Sequence, residues 1–217
     1  MIWLLRLTAA AVILLVCGCY LPSEFDAQLQ IDRSGNYIFR YNGSLTHLGL
    51  LKELNLGTLN AGEVAKKILN IQRDLARDSG YGPGSSLGKR VRHIKHMKNS
   101  TFRVAYKRTG NLKEERSFNF VRFNSRMLSI SLVPDKSNIR KGSLIKIIGD
   151  KPNNELIKAL ERSNLKANGR FRIQTDAVVL RHNADSSYQT GKSVVYVWEI
   201  KSLTRTPPAL IFKPEIE

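Results

Sequence analysis

The sequence predicts an α+β protein in which a largely antiparallel, curved sheet packs against two helices. Apolar and polar residues alternate along many short segments, which is the period of a half-buried strand. Two longer segments, 61–78 and 152–165, instead carry apolar residues at helical spacing. Gly, Pro, Asn and Asp separate most of these segments and favour turns.

The first 18 residues have the layout of a secretory signal peptide. A single cation, Arg6, precedes an apolar run over residues 7–16. This run is shorter than the roughly 20 apolar residues that a membrane span requires. It closes with Leu15, Val16, Cys17, Gly18 and Cys19. We therefore expect residues 1–18 to be removed; a plain signal peptide or a retained anchor helix are the alternatives.

The closing pentapeptide resembles a bacterial lipobox, and the chain then resembles a membrane-anchored lipoprotein. That resemblance implies cleavage after Gly18, a diacylglyceryl thioether on Cys19 and firm attachment to a membrane. Residues 19–24 would form a lipidated tether. Because Tyr20 rather than Asp follows the anchor, the resemblance also implies the outer membrane, facing the periplasm, if the host is Gram-negative.

The rest of the chain, residues 25–217, is predicted to form one basic α+β domain, with a subdivision near residues 80–90 as the alternative. It contains no cysteine, so its core supplies its stability without a disulfide. Residues 25–31 and 37–41 alternate on either side of a turn-forming segment, which predicts a β-hairpin.

Further along, residues 44–58 predict a short helix or an irregular packed segment. Asn60 and Glu63 form a capping pair for a helix that continues to about Asp78. A glycine-rich loop follows at residues 80–88, and strand-like alternation then continues for about 60 residues.

The C-terminal half adds a turn, a helix and several strands. A turn is expected at residues 109–111, and the second helix at residues 152–165. Strands are expected near residues 171–180 and 194–200. Leu210 to Phe212 follow two prolines and are expected to form a final edge strand.

Positive charge is the second informative feature of the chain. Lys and Arg number 35 against 18 Asp and Glu, a net charge of +17. Such a surface attracts polyanions. Outside the cytoplasm these are anionic lipids, lipopolysaccharide or wall polymers, so no nucleic acid is expected as a partner. The alternative is that the cations only keep the surface soluble.

The densest group of cations is the candidate site for an anionic ligand. It consists of Arg90, Arg92, Lys95 and Lys98. Arginine suits such a site because its guanidinium binds phosphate in a bidentate manner. A solvated strand face is the alternative. His93 and His96 lie within the group, but residues three apart on a strand face opposite ways, so no metal site is predicted.

No arrangement of residues in the sequence predicts catalysis. The glycine-rich loop lacks the ending of a phosphate-binding P-loop, and no nucleophile elbow is present. Asp176 and Asp185 have no predicted partner that would make them an acid and base pair. We therefore expect neither catalytic residues nor a cofactor. A pocket that gathered Asp176, His182 and Asp185 would instead indicate an enzyme.

Residues 169–184 and 196–200 are similar to the closing part of several bacterial envelope lipoproteins and resemble the LppM-type lipoproteins. In that family a strand ends near an Asn, here Asn183, and a later strand bears a Trp, here Trp198. The resemblance implies a membrane-tethered, β-rich domain that interacts with a lipid or glycolipid.

Three functions follow in order of support. The first is a non-catalytic envelope lipoprotein that binds an anionic envelope component or a partner protein. The second is an accessory or assembly subunit of an envelope complex, and the last is an enzyme acting on wall or lipid.

Overall fold

The computed structural model describes residues 20–78, 94–121, 127–136, 142–152 and 154–215. The helices in these ranges are α1 (Leu48–Leu56), α2 (Ala61–Asp78), α3 (Leu112–Glu115) and α4 (Asn154–Arg162). The strands are β1 (Tyr20–Ile31), β2 (Asn36–His47), β3 (Ile94–Lys98), β4 (Thr101–Asn111), β5 (Ser117–Phe120), β6 (Leu128–Pro134), β7 (Ser143–Gly149), β8 (Gly169–Thr175), β9 (Val179–His182), β10 (Ser186–Thr190), β11 (Ser193–Ile200) and β12 (Ala209–Phe212).

The strands form two sheets, which confirms the α+β class. Sheet A has the order β10-β11-β8-β1-β2-β4-β3, and sheet B has the order β5-β6-β7-β12-β9. Within the described ranges all strand pairs are antiparallel except β1 with β8. The sequence predicted one sheet, whereas the strands divide between two.

The predicted hairpin is confirmed as β1 paired with β2, in a register that places Leu29 opposite Phe39. It begins earlier than expected, because residues 20–24 belong to β1 rather than to a free tether. The reason is burial. The side chains of Tyr20 and Leu21 are almost completely buried, and Tyr20 pairs with His47 at the end of β2.

Apolar side chains from both sheets form the main core between them. Its centre is a group of aromatic rings whose centroids lie 4.9–5.8 Å from a neighbour's. These rings, which we call the aromatic core, belong to Tyr37, Phe39, Tyr41, Tyr106, Phe118 and Phe120. Offset and edge-to-face contacts of this kind add to the free energy of burial.

The chain passes from sheet A to sheet B through the single turn of α3. There the Tyr37 hydroxyl donates to the Glu115 carboxylate at 2.8 Å, and the Arg108 guanidinium donates to the same oxygen at 2.9 Å. Burial, followed by the bond to Glu115, raises the pKa of Tyr37 to about 12. Tyr37 therefore stays protonated and continues to donate at physiological pH.

Both predicted helices are present, as α2 and α4, and the described residues also form α1 and the single turn of α3. The capping pair is confirmed: the Glu63 amide donates to the Asn60 side chain at 3.0 Å and the Asn60 amide to the Glu63 carboxylate at 2.8 Å. Before it, α1 begins where the Leu50 amide donates to Nδ1 of His47 at 2.9 Å. The segment 44–58 thus contains the end of β2 and a short helix.

Two local predictions were wrong. Residues 109–111 continue β4 rather than turning, because Gly110 pairs with Tyr37, and the Tyr37 ring and Glu115 occupy the space that a side chain would need. The segment 209–212 is not an edge strand: β12 lies between β7 and β9. Pro207 and Pro208 precede its paired residues, so neither removes a donor from the ladder.

Candidate functional site

An apolar pocket of about 190 Å³ lies beside the start of β1 and the ends of β7 and β11. It is lined by Tyr20, Leu21, Pro22, Phe25, Ala27, Phe39, Tyr41, Leu48, Phe120, Met127, Leu128, Gly149, Asp150, Lys151, Pro152, Leu156, Leu160, Ala167, Phe171, Ile200, Ser202, Leu203, Arg205, Thr206, Pro207 and Pro208. We call it the apolar pocket. These residues are contributed by strands of both sheets, by α1 and α4, and by segments that include those after β7 and between β11 and β12.

Two apolar clusters contribute to the pocket lining. One is the main core between the sheets, and the other is a second, smaller core. Phe39, Phe120 and Phe171 are shared with the main core. Leu160 of α4 packs with Leu21 in the smaller core, outside the main one. The pocket therefore lies where these two apolar clusters meet and do not close the space between them.

One ring of the lining, that of Phe25, is accommodated by two glycines on neighbouring strands. A Cβ at Gly43 of β2, or at Gly169 of β8, would lie 2.4 Å from atoms of Phe25. The ring stacks on Tyr41 with a centroid separation of 5.7 Å. Side chains at either glycine would displace Phe25, so both glycines shape the pocket wall.

Polar groups of the pocket lining include Asp150, Lys151 and Arg205. Arg205 is held in place because its guanidinium donates to the Asp185 carboxylate and to the Glu199 carbonyl oxygen at 2.7 Å. The bond from Arg205 holds the pKa of the Asp185 carboxyl below its ordinary value. Arg205 therefore remains in a charged pair at neutral pH.

The Tyr41 hydroxyl, which also belongs to the lining, is engaged within the protein. It donates to the Ser44 carbonyl oxygen at 2.9 Å, and burial raises its pKa above the ordinary value. An apolar cavity of about 150 Å³ is enough to hold a benzene-sized molecule. The size and apolar lining of this pocket suit an apolar group, such as part of an acyl chain.

Of the predicted site residues, the structure describes Lys95 and Lys98. Cys19, Arg90 and Arg92 lie outside the described residues, as does the glycine-rich loop. Lys95 and Lys98 are exposed on β3. Lys95 lies opposite Arg103 of β4, so it projects from the outer face of sheet A and does not line the apolar pocket.

The three residues that would have indicated an enzyme do not share the pocket. The Asp176 carboxylate accepts from the Arg33 amide at 2.8 Å and from the Arg33 guanidinium at 2.9 Å. Asp185 pairs with Arg205. Nδ1 of His182 accepts from the Ala184 amide at 3.2 Å, and its ring contacts Tyr196. Each is engaged separately, and none of them lines the apolar pocket.

His96, which was expected to face away from His93, has a local hydrogen-bond partner. Nε2 of His96 lies 2.9 Å from the Asn99 carbonyl oxygen, and its ring packs on Phe102. In the part of the chain that the structure describes, no three His, Cys, Asp or Glu side chains come close enough to hold a metal ion.

Asn183 and Trp198, which carry the sequence resemblance, connect the two sheets. The indole N–H of Trp198 in β11 and the amide of Ala209 in β12 both donate to the Asn183 side-chain oxygen at 2.8 Å. The Asn183 amide group donates in turn to the Pro207 carbonyl oxygen at 2.8 Å. These bonds fix the segment that carries Pro207 and Pro208 against the pocket.

The sequence alone did not predict the pocket. Its lining comes from positions between 20 and 208, and each of them reads locally as ordinary core or loop. The available signal was the cluster of apolar residues Tyr20, Leu21 and Pro22 immediately after Cys19, the expected anchor, which a solvated tether would not need.

No protein-family model matches this chain, and no curated protein matches it. Among solved structures, the NMR structure of the folded domain of the Mycobacterium tuberculosis LppM protein aligns with a TM-score of 0.41 and 10% sequence identity. The alignment covers 90% of this chain and 91% of that one. Among the described residues, no helix combines the length and apolarity needed to cross a bilayer.

Proposed function

We propose that this protein is a non-catalytic lipoprotein of the bacterial envelope, anchored by lipid on Cys19, that binds an anionic amphiphile by its acyl tail. The apolar pocket carries the proposal. It offers a largely apolar, partly open surface, and the Tyr41 hydroxyl and the Arg205 guanidinium of its lining donate to other groups of the protein.

The position of the pocket supports a lipid as the ligand. Tyr20 follows Cys19 directly in the sequence and is itself part of the pocket lining. An anchor on Cys19 would therefore hold the pocket close to the membrane surface. The net charge of +17 favours a ligand whose head group is negative.

The anchor is tested by mass spectrometry of the chain extracted from membranes. We expect an N-terminal peptide that begins at Cys19 and carries acyl chains. The variant Cys19→Ser should leave the membrane fraction. An unmodified residue 19, or a chain found among cytosolic proteins, would contradict the anchor without bearing on the pocket.

The pocket is tested by competition with a fluorescent fatty acid, using the full chain and a variant that fills the space. Leu203→Trp adds a large apolar group to the lining and should weaken binding about tenfold, because the ligand and the indole compete for the same volume. Leu69→Trp, on the exposed side of α2, is the matched control and should bind as the native protein does. Equal affinities in all three proteins would refute the site.

The charge preference is tested separately, with anionic and zwitterionic phospholipids as competitors. We expect the anionic lipid to compete better at low salt and the difference to shrink as salt is added, because added salt screens exposed charges. Equal competition at low salt would confine the proposal to the acyl tail.

A role as an accessory subunit has one observation in its favour. Val178, Leu180 and Tyr188 are 75%, 58% and 53% exposed, and they lie on or beside the edge strands β9 and β10. Exposed apolar side chains of this kind occur at protein interfaces. Crosslinking in intact cells should then capture an envelope protein through this edge, and Leu180→Ser should abolish the crosslink.

A further inference from the structure

The outer face of sheet A carries four cations on three adjacent strands. Arg40 of β2 lies directly opposite Lys107 of β4, and Arg103 of β4 lies directly opposite Lys95 of β3. We call Arg40, Lys95, Arg103 and Lys107 the cationic face. None of the four lines the apolar pocket.

Both pairs place like charges opposite each other, an arrangement that destabilises a sheet. Within the described residues, no carboxylate forms an ion pair with any of the four. Their described bonds are to neutral amides: Arg40 donates to the Gln30 side chain at 3.0 Å and Arg103 to the Asn42 side chain at 3.3 Å. The face therefore keeps its full positive charge, which an anionic partner would neutralise.

A groove of about 300 Å³ lies beside Arg40 and Lys107, and it does not extend to Lys95 and Arg103. Ala105 and Asn42, which pair across β4 and β2, lie in the row between the two cation pairs and contribute to the groove. Arg40 and Lys107 also line it. Arg172 and Asp26 line it too, and because the Arg172 guanidinium donates to both oxygens of Asp26 at 2.8 and 2.7 Å, these two charges balance each other.

The distance between the two cation pairs along β4 favours an extended polyanion over a small anion. Arg103 and Lys107 are four residues apart, a separation of about 13 Å along a strand. One small anion reaches one pair, whereas an extended chain with several negative groups reaches both and fills the groove between them. A flat membrane surface would leave the row of Ala105 and Asn42 unfilled.

We propose that the cationic face binds a linear polyanion, of the class of an envelope polymer that bears phosphate or carboxylate groups along its length. Charge attraction and bidentate arginine contacts supply the binding, and the groove supplies the preference for an extended chain. This proposal does not depend on the lipid pocket, because none of the four cations lines that pocket; Tyr41 contributes to both surfaces, and its hydroxyl is engaged by Ser44.

The test measures binding of long-chain polyphosphate and of orthophosphate to the full chain, at equal total phosphate. We expect the polymer to bind and orthophosphate to bind at least about tenfold more weakly, since it meets one pair only. Between 50 and 200 mM salt, contacts from the four cations predict a loss of roughly 50- to 150-fold in affinity for the polymer.

Two double variants identify the surface. R40Q/K107Q and K95Q/R103Q should each weaken polyphosphate binding about tenfold. K158Q/R162Q, which removes the same two residue types from the exposed side of α4, is the matched control and should change affinity less than twofold. Thermal melting serves as the folding check: removing opposed like charges should leave the midpoint unchanged or raise it.

Several outcomes would overturn the proposal. They are equal loss in the control variant, equal affinity for orthophosphate, and binding of anionic lipid vesicles through these residues without binding of soluble polyphosphate. Much tighter binding of single-stranded DNA than of polyphosphate would also overturn it, because the polymer would then be a nucleic acid. Failure of any of these tests leaves the fatty-acid competition unaffected.

Discussion

The aromatic core and the apolar pocket are both built from apolar side chains, but only the first is filled. In the aromatic core, rings from two facing sheets interlock, with centroids about as close as aromatic pairs normally come. At the pocket, the short helix α4 and a proline-containing segment meet the ends of strands, and a volume of about 190 Å³ stays open. Apolar surface thus stabilises the fold in one region and is free to bind a ligand in the other.

The largest expected effect is in the aromatic core. Phe118 contacts the rings of Tyr37 and Phe39 at 5.3 and 5.5 Å and is almost completely buried. Phe118→Ala should lower the free energy of unfolding by about 3–5 kcal/mol, because it leaves a cavity that rigid strands cannot close. Urea denaturation measures this loss.

The matched change at the pocket is Leu160→Ala on α4. It should lower the free energy of unfolding by only about 2 kcal/mol, the low end for such changes, since the new space joins an existing one. If Leu160→Ala proved as costly as Phe118→Ala, the two regions would be equally well packed and the contrast between them would not hold.

Asn183 connects the two sheets beside the pocket and gives the next effect. Asn183→Ala leaves the indole N–H of the fully buried Trp198 and the amide of Ala209 without their acceptor. The expected loss in unfolding free energy is about 1–3 kcal/mol. Because Trp198→Phe removes one of the same bonds, the double variant should lose less than the sum of the two single variants. Strict additivity would show that the indole bond contributes nothing.

Periodicity in the sequence predicted what depends on neighbours along the chain. It located the first hairpin, α2 with its capping pair, and α4, because spacing determines which face of an element is apolar. It did not predict that β1 pairs in parallel with β8, more than 130 residues away, or that the strands divide between two sheets. Alternation shows which side of a strand is buried and does not identify its partner.

Because the sequence pattern does not identify strand partners, it also did not predict the cationic face or the apolar pocket. Lys95 was identified from local charge density, but Arg40 and Lys107 join it only through strand pairing. Tyr20 and Leu21 were assigned to a tether, whereas their burial depends on the distant α4 and His47.

A smaller effect comes from adding volume in each region. Ile130→Phe places a larger side chain in the filled core, where Ile130 is fully buried, and should cost about 1–3 kcal/mol. Leu203→Phe enlarges a residue of the pocket lining and should cost less than that, because the added atoms have space to occupy. Thermal unfolding of both variants measures the difference. Equal costs would mean that the pocket closes in solution.

The smallest effect is a pH dependence of the free energy of unfolding that arises from His47. Burial lowers the pKa of His47 below its ordinary value; nearby Lys67 lowers it further, and Glu53 opposes this. As pH falls, the unfolded chain therefore takes up the proton first. The stability due to neutral His47 is complete above about pH 6.5 and is lost as pH falls through the lower, folded-state pKa.

Protonation at Nδ1 also removes the acceptor for the Leu50 amide at the start of α1. Asparagine accepts the same bond and does not titrate, so His47→Asn should match the native protein at pH 7.5 and lose less stability by pH 5. Urea midpoints at the two pH values measure this. The centroid of the His47 ring lies 5.0 Å from that of Tyr20, which lines the apolar pocket. A loss of the bond to His47 therefore acts first on this wall of the pocket. An identical fall in both proteins would place the acid sensitivity elsewhere, in carboxylates such as Asp176 and Asp185 whose arginine bonds hold their pKa values low.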